Sequence, residues 1–355
     1  MHISDVDKNL NITTKILRDG LRFYDIKEAP FRIHGVFYEN GEFVRMPDKV
    51  AASVSSGVHY GSKRLAGGRV RFITDSPYVA ISAVQEGKAG FGHMAPCGEA
   101  GFDLYEMRDG KETYVKSFVP PHDAYNGYES VIDFPSREER ILTINFPLYF
   151  GVKELYVGIK EGSTLKATPD YTIRTPIVFY GSSITQGGCA SRPGNSYQGF
   201  LSRRYDADYI NLGFSGSAKG EKSMAEYIKS LKMSCFVYDY DHNAPTVEHL
   251  EATHEAFYKI IREGHPDIPI VIMSRPKVNP DEEEKLQREI VYKTYTNALS
   301  RGENVYHVFG EELMALCKNE GTVDGCHPTD LGFFSMAERL SLEFDKFFDT
   351  LVEKD

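Results

Sequence analysis

The feature that most restricts how this chain folds is a change of hydrophobic period near Pro176. Beyond it, short continuous apolar runs recur at Ile177-Val178-Phe179-Tyr180, Tyr209-Ile210-Asn211-Leu212, Cys235-Phe236-Val237-Tyr238, Ile268-Pro269-Ile270-Val271-Ile272-Met273 and Val305-Tyr306-His307-Val308-Phe309. Runs of this kind mark strands buried on both faces. Helical stretches separate them, notably Thr246 to Glu263 and Asp281 to Ser300. Strand alternating with helix requires right-handed βαβ crossovers and hence a parallel sheet. Before Pro176 the period is two. Val70-Arg71-Phe72-Ile73-Thr74, the run from Tyr78 to Val84, Phe102 to Met107, Tyr114 to Val119, Arg140 to Phe146 and Glu154 to Ile159 read as short strands between polar or Gly/Pro turns. That pattern predicts a β-sandwich or jelly roll.

A chain of 355 residues is longer than one core usually serves. Two domains are therefore expected, 1–165 and 170–355, with the polar segment Lys160-Glu161-Gly162-Ser163-Thr164 as the joint. The 41 basic and 51 acidic side chains leave a formal charge of −10, which argues against a polyanion binder and gives no reason to expect nucleic acid. The N-terminal residues Met1-His2-Ile3-Ser4-Asp5 lack the apolar stretch of an export signal, and no run approaches the ~20 apolar residues of a membrane span. The five cysteines, Cys97, Cys189, Cys235, Cys317 and Cys326, are odd in number and show no CxxC spacing, which suits reduced thiols. A cytoplasmic protein without a membrane partner is expected, with homo-oligomerisation left open. Cys235 opens an apolar run and reads as core; Cys189 and Cys326 flank the candidate site and read as small packing residues.

In open parallel sheets ligands bind outside the carboxyl ends of the strands. Four motifs fall there in chain order. Gly181-Ser182-Ser183-Ile184-Thr185 follows the first strand of the second domain and exposes a serine on a tight turn; alone, an ordinary Gly/Ser turn explains it equally well. Asn211-Leu212-Gly213-Phe214-Ser215-Gly216-Ser217 ends the next strand and offers a glycine N–H. Asp239-Tyr240-Asp241-His242-Asn243-Ala244-Pro245 ends the third and offers a side-chain amide; Asp239, Asp241 and His242 also invite a metal reading, although turn and cap roles fit them better. His249 and His254, five apart on a helix, lie on different faces and form no zinc pair. Asp324-Gly325-Cys326-His327-Pro328 precedes the last helix, with Pro328 expected in its first turn. A serine, backbone and amide donors and an Asp-x-x-His pair make the constellation that acyl transfer needs. His327 takes the proton of Ser183 as it attacks an ester carbonyl, and the Ser183 N–H, Gly216 N–H and Asn243 amide receive the oxyanion. No cofactor and no metal are expected.

The order Ser183, Gly216, Asn243, His327 resembles the four blocks of the SGNH, or GDSL-type, hydrolases. The resemblance covers the chain from about Pro176 onward. It implies a flavodoxin-like α/β/α three-layer sandwich and makes Asp324 the triad acid. Two blocks depart from the family pattern: Gly-Asp-Ser reads Gly181-Ser182-Ser183, and Gly-x-Asn-Asp reads Asp241-His242-Asn243-Ala244. A β-domain ahead of such a domain resembles the layout of family two carbohydrate esterases, which implies removal of O-acetyl groups from a sugar. The partner expected is thus a small-molecule or oligosaccharide ester. The loop Gly187 to Asn195 is a candidate wall of the acyl pocket, and His122, Tyr125 and Tyr128 are candidate sugar-stacking residues, with plain surface aromatics the alternative. Two other readings stand beside the esterase: a lipase or thioesterase, against which the lack of an apolar lid counts, and a non-catalytic carbohydrate-binding protein, which needs none of the triad.

Overall fold

A computed structural model describes residues 15–87, 90–122 and 126–353. The chain forms two compact units that alternate along the sequence. The first runs to Val44, resumes over Lys63–Pro169 and includes Ser191–Gly194; the second comprises Arg45–Ser62, Asp170–Ala190 and the chain from Asn195 onward.

The first unit is an antiparallel β-sandwich. Its strands are β1 (Leu21–Asp25), β2 (Arg32–His34), β3 (Phe37–Glu39), β4 (Glu42–Val44), β5 (Arg69–Thr74), β6 (Tyr78–Glu86), β7 (Phe102–Arg108), β8 (Lys111–Phe118), β9 (Gly127–Asp133), β10 (Arg140–Asn145), β11 (Gly151–Lys160) and β12 (Leu165–Lys166). One sheet has the order β1-β11-β6-β9, the other β12-β5-β10-β7-β8 with β2 on β5, and β3 and β4 form a hairpin. The period-two pattern explains the packing: Val79 and Ile81 of β6 and Val157 and Ile159 of β11 point one way, Val70 and Phe72 of β5 and Leu142 and Ile144 of β10 face them, and all share one core. Register keeps those partners opposed, with Leu142 beside Phe72 and Ile144 beside both Val70 and Leu104. β9 and the four short N-terminal strands were not visible in the sequence pattern.

Of the three aromatics considered for sugar stacking, Tyr125 lies outside the described residues and His122 is exposed in a turn. Tyr128 corrects the expectation: it belongs to β9, is 4% exposed, and its hydroxyl donates to the Phe118 carbonyl at 2.5 Å. Alternation along β9 turns it into the core rather than outward.

The second unit is built on a parallel sheet of β13 (Ile173–Gly181), β14 (Ala207–Gly213), β15 (Cys235–Asp239), β16 (Ile270–Met273) and β17 (Val305–Val308), in the order β14-β13-β15-β16-β17. The helices α1 (Asp48–Val54) and α2 (Ser56–Ser62), which precede β5 in the chain, belong to this unit; α3 (Pro96–Glu99) belongs to the sandwich. The others are α4 (Ser183–Gln186), α5 (Tyr197–Tyr205), α6 (Lys222–Ser230), α7 (Val247–Gly264), α8 (Glu282–Ser300), α9 (Gly310–Leu313), α10 (Asp330–Phe344) and α11 (Phe348–Leu351). Val178, Tyr180, Phe236, Tyr238 and Ile272 pack one face of the sheet against Ala225 of α6, Phe257 and Ile261 of α7 and Val291 of α8, with Ala51 of α1 and Val58 of α2 in the same core. On the opposite face Phe179 meets Tyr197 of α5 edge-on, and Tyr197 stacks on Phe333 of α10. This is a three-layer α/β/α arrangement, the fold class expected of the second half.

One boundary differs from expectation. Pro328 is not in the first turn of α10, which starts at Asp330 with Thr329 as N-cap. The backbone from 322 to 329 is folded back on itself, Val323 N–H to the His327 carbonyl at 3.0 Å and Thr329 N–H to the Gly321 carbonyl at 2.8 Å, so Pro328 is held in this turn and the helix begins after it.

Candidate active site

The site is assembled at the carboxyl ends of β13, β14 and β15, where a parallel sheet opens toward solvent. β13 ends at Gly181, and a side chain there has no room: a Cβ would lie 2.2 Å from the Thr185 hydroxyl and 2.4 Å from the Asp239 carbonyl. The chain turns directly into α4, of which Ser183 is the first residue. Ser182 is the N-cap, its hydroxyl accepting the Ile184 N–H at 3.1 Å. That bond satisfies a helix-end donor and stabilises the turn by about 1 kcal/mol. It is also what an aspartate at this position would do, so the exchange of the family's Gly-Asp-Ser for Gly181-Ser182-Ser183 preserves the cap.

Ser183 is 6% exposed, and its Oγ lies 2.9 Å from His327 Nε2. The other imidazole nitrogen, Nδ1, is 2.8 Å from Asp324 Oδ2. Asp324 holds the turn as well as the ring, its Oδ1 accepting the His327 N–H at 2.7 Å and the Cys326 N–H at 3.0 Å. Partial burial works against its charge, but these N–H donors and the imidazole outweigh that and hold its carboxyl down at about 2. Asp324 is therefore an anion near neutral pH. With Nδ1–H committed to this anion, Nε2 is left as the acceptor for the serine proton.

Gly216 is exposed in the turn after β14 with φ +64, a left-handed conformation that glycine adopts without penalty. Asn243 is half-buried and its amide donates one N–H to the Phe214 carbonyl at 3.1 Å, leaving a second hydrogen on the same nitrogen. Beneath the nucleophile turn lies a buried polar layer that sequence reasoning missed. Thr185 donates its hydroxyl to Asp239 Oδ2 at 2.6 Å, and its carbonyl receives the amides of Gln198 and Asn211, each at 2.7 Å. Burial pushes the Asp239 carboxyl up to about 7.

The two aspartates weighed as metal ligands have other partners: Asp239 is bonded to Thr185, and Asp241 accepts the Arg275 N–H at 2.9 Å. His242 Nε2 is 3.3 Å from Cys326 Sγ. His249 bonds the Lys219 carbonyl and the buried His254 bonds Thr294, on separate surfaces of α7. Asp324, Cys326 and His327 bring three ligand-type atoms within 4.8 Å of one another. Their contacts are those of a turn holding a histidine, and burial raises the Cys326 thiol, which disfavours the thiolate a metal would require. Cys189 is buried, as is Cys235. Part of the loop expected beside the acyl pocket is a piece of the sandwich unit: Gly194 N–H donates to the fully buried Asp103 at 2.8 Å, and Arg192 pairs with the same carboxylate at 3.3 Å and bonds Tyr105. Among the described residues no helix is long and apolar enough to cross a membrane.

Two family models match the chain, one after the other. Residues 174–343 match the GDSL-like lipase/acylhydrolase family, and residues 21–165 match a family described as the N-terminus of SGNH-hydrolase-type esterases. No curated protein matches the chain. Among solved structures, a protein described as a GDSL-like lipase from Bacteroides ovatus is 27% identical with a TM-score of 0.83, over 93% of this chain and 98% of that one. The salicylyl-acyltransferase SsfX3 of a tetracycline biosynthetic pathway is 21% identical with a TM-score of 0.75, over 95% of this chain and 100% of that one. A family two carbohydrate esterase from Cellvibrio japonicus is 12% identical with a TM-score of 0.62, over 93% of this chain and 99% of that one, a likeness of fold. With its two segments matching the two halves of this architecture in order, the chain belongs to the SGNH (GDSL-type) hydrolases and is a carboxylic ester hydrolase.

Proposed function

We propose that the protein removes short acyl groups, acetyl foremost, from a carbohydrate through an acyl-enzyme on Ser183. The observation that carries the catalytic part is the hydrogen-bonded file from Ser183 Oγ to His327 Nε2 and from His327 Nδ1 to Asp324, at 2.9 and 2.8 Å. His327 removes the hydroxyl proton as Ser183 Oγ bonds the ester carbonyl carbon, and Asp324 steadies the imidazolium that forms. Charge gathers on the former carbonyl oxygen, where the Ser183 and Gly216 N–H groups and the spare Asn243 N–H receive it. His327 then gives its proton to the departing alcohol, and water, activated by the same imidazole, releases the acid and restores Ser183.

The carbohydrate assignment rests on architecture, a β-sandwich unit with a GDSL-type unit as in the family two carbohydrate esterase. A second reading, in which the same acyl-enzyme also passes its acyl group to an alcohol, is favoured by the likeness of fold to a salicylyl-acyltransferase. Both are tested by one measurement: hydrolysis of acetylated oligosaccharides alongside nitrophenyl acetate, for the wild type and for His122→Ala, with added alcohols as competing acceptors. Acetate release from the sugars, weakened by His122→Ala while nitrophenyl acetate is spared, supports the proposal. Turnover of nitrophenyl acetate with no acetylated sugar cleaved removes the carbohydrate assignment and leaves the esterase; preferential formation of new esters with the alcohols makes it a transferase.

A further inference from the structure

The proposal just made needs two donors held still, Gly216 in the exposed loop after β14 and Asn243, which follows β15 and is bonded to that loop at the Phe214 carbonyl. What holds that loop comes from the first half of the sequence. Arg45 is 2% exposed and lies 166 residues before Asn211 in the chain. Its Nη1 donates to the carbonyls of Asn211 and Gly213, both at 2.8 Å, and its Nη2 to the carbonyl of Gly61 at 2.7 Å. Its guanidinium carbon stands 4.6 Å over the Phe214 ring.

Consider what this does to the peptide joining Gly213 to Phe214. Its carbonyl is fixed by Arg45, and its N–H donates to the Gly181 carbonyl at 2.8 Å, so the plane cannot rotate without breaking one bond or the other. The next carbonyl along, that of Phe214, receives the Asn243 amide at 3.1 Å and the Ser217 N–H at 3.0 Å, the bond that closes the turn containing Gly216. The same strand end is linked to α4, with the Asn211 amide on the Thr185 carbonyl and the Ser215 N–H on Gln186 at 3.0 Å. A tilt of the 213–214 peptide would therefore displace both oxyanion donors relative to Ser183. Burying a guanidinium is costly, and filling space does not require one. A planar fork that delivers hydrogens in fixed directions does require one, and a lysine ammonium cannot serve three carbonyls along those directions.

We propose that Arg45 is a positioning residue for the oxyanion loop: through the Asn211 and Gly213 carbonyls it sets the orientation of the Phe214 carbonyl and so of Asn243 and Gly216. This rests on the reading of Ser183 as nucleophile with Gly216 and Asn243 as donors.

The test is kinetic. Arg45→Lys and Arg45→Ala are assayed on nitrophenyl acetate beside Asn243→Ala and the double variant Arg45→Ala/Asn243→Ala, with folding followed by thermal unfolding and the active fraction by titration of the serine with a fluorophosphonate. Losing one oxyanion donor costs on the order of 10²–10³ in turnover, so a displaced donor is expected to lower kcat about 10- to 100-fold in folded Arg45→Lys with KM little changed. Arg45→Ala is expected to lose as much, to recover in part with millimolar guanidinium ion, and to add to the loss caused by Asn243→Ala only the part that Gly216 carries, less than its own single-variant loss. A folded Arg45→Lys with wild-type kcat overturns the proposal. So does a loss that equals the drop in titratable serine, or one that multiplies in full with Asn243→Ala. If Arg45→Ala does not fold, Arg45→Lys decides. Wild-type activity in a folded Ser183→Ala variant would instead remove the reading beneath it, which no result with Arg45 imitates.

Discussion

The two units bury polar groups to different ends. In the sandwich, the buried Arg140 meets Glu106 at 3.3 Å and Asn145 donates to Asp103 at 2.7 Å, each pair joining β10 to its neighbour β7. In the α/β unit, the buried Asn211 of β14 and Asp239 of β15 both bond Thr185 of α4, so their bonds converge on the turn that carries Ser183. Cross-strand pairs hold neighbouring strands together. A convergent layer positions something that must stay reactive. The difference follows from topology: antiparallel strands return by short turns and pair with near neighbours, whereas parallel strands all end on the same side and bring remote segments together there.

That contrast can be broken at three points. The largest effect is expected at the active edge. Asn243→Ala removes one preorganised donor and is expected to lower kcat by about 10²–10³ with KM and thermal stability nearly unchanged. A change in KM alone would make Asn243 a substrate-binding residue.

A smaller effect is expected one layer down. Asp239 keeps its proton up to about 7 in the folded protein because it is buried. An unfolded aspartate releases its proton near ~3.9, so between the two values the unfolded chain binds fewer protons than the folded one. Stability therefore falls as pH rises through that window and is unaffected below it. Asp239→Asn cannot lose this proton, so its thermal midpoint relative to wild type should climb from about pH 4 to about pH 7 and level off above that. A difference that is flat with pH would show that Asp239 is ionised in the folded state.

The smallest effect belongs to the sandwich. Tyr128→Phe deletes only the hydroxyl bonded to the Phe118 carbonyl, and is expected to cost about 1 kcal/mol of stability with kcat on nitrophenyl acetate unchanged. A loss of kcat without a loss of stability would mean that this unit, too, serves the chemistry.

How much of this was legible depended on how local the signal is. The five apolar runs after Pro176 could be read as parallel strands because a strand buried on both faces leaves an uninterrupted hydrophobic word. Ser183, Gly216, Asn243 and the Asp324–His327 pair stand where those runs stop or before a long helix, so chain order alone put them at strand ends. Arg45 could not be read in this way. It is one arginine between β4 and α1, and its meaning lies in carbonyls far along the chain. The seven-residue helices α1 and α2 are too short to show a helical period, and nothing in their composition tells that they join the α/β core through Ala51 and Val58. Tyr128 was misjudged because a Gly/Pro-rich neighbourhood resembles a loop, whereas its strand is set by pairing with β6, where it lies opposite Ala83. Pro328 stands just before its helix instead of in the first turn because the bridge from Thr322 holds it in the preceding turn.

The central claim, that ester cleavage passes through Ser183, is tested most directly by trapping. The wild-type protein is treated with a fluorophosphonate, digested and mapped by mass, in parallel with Ser183→Ala, and both are assayed on nitrophenyl acetate. The account predicts a single adduct on the peptide carrying Ser183 with complete loss of activity, and a folded Ser183→Ala protein that takes up no label and turns over no ester. A label on another residue, or near-wild-type turnover by folded Ser183→Ala, would contradict it.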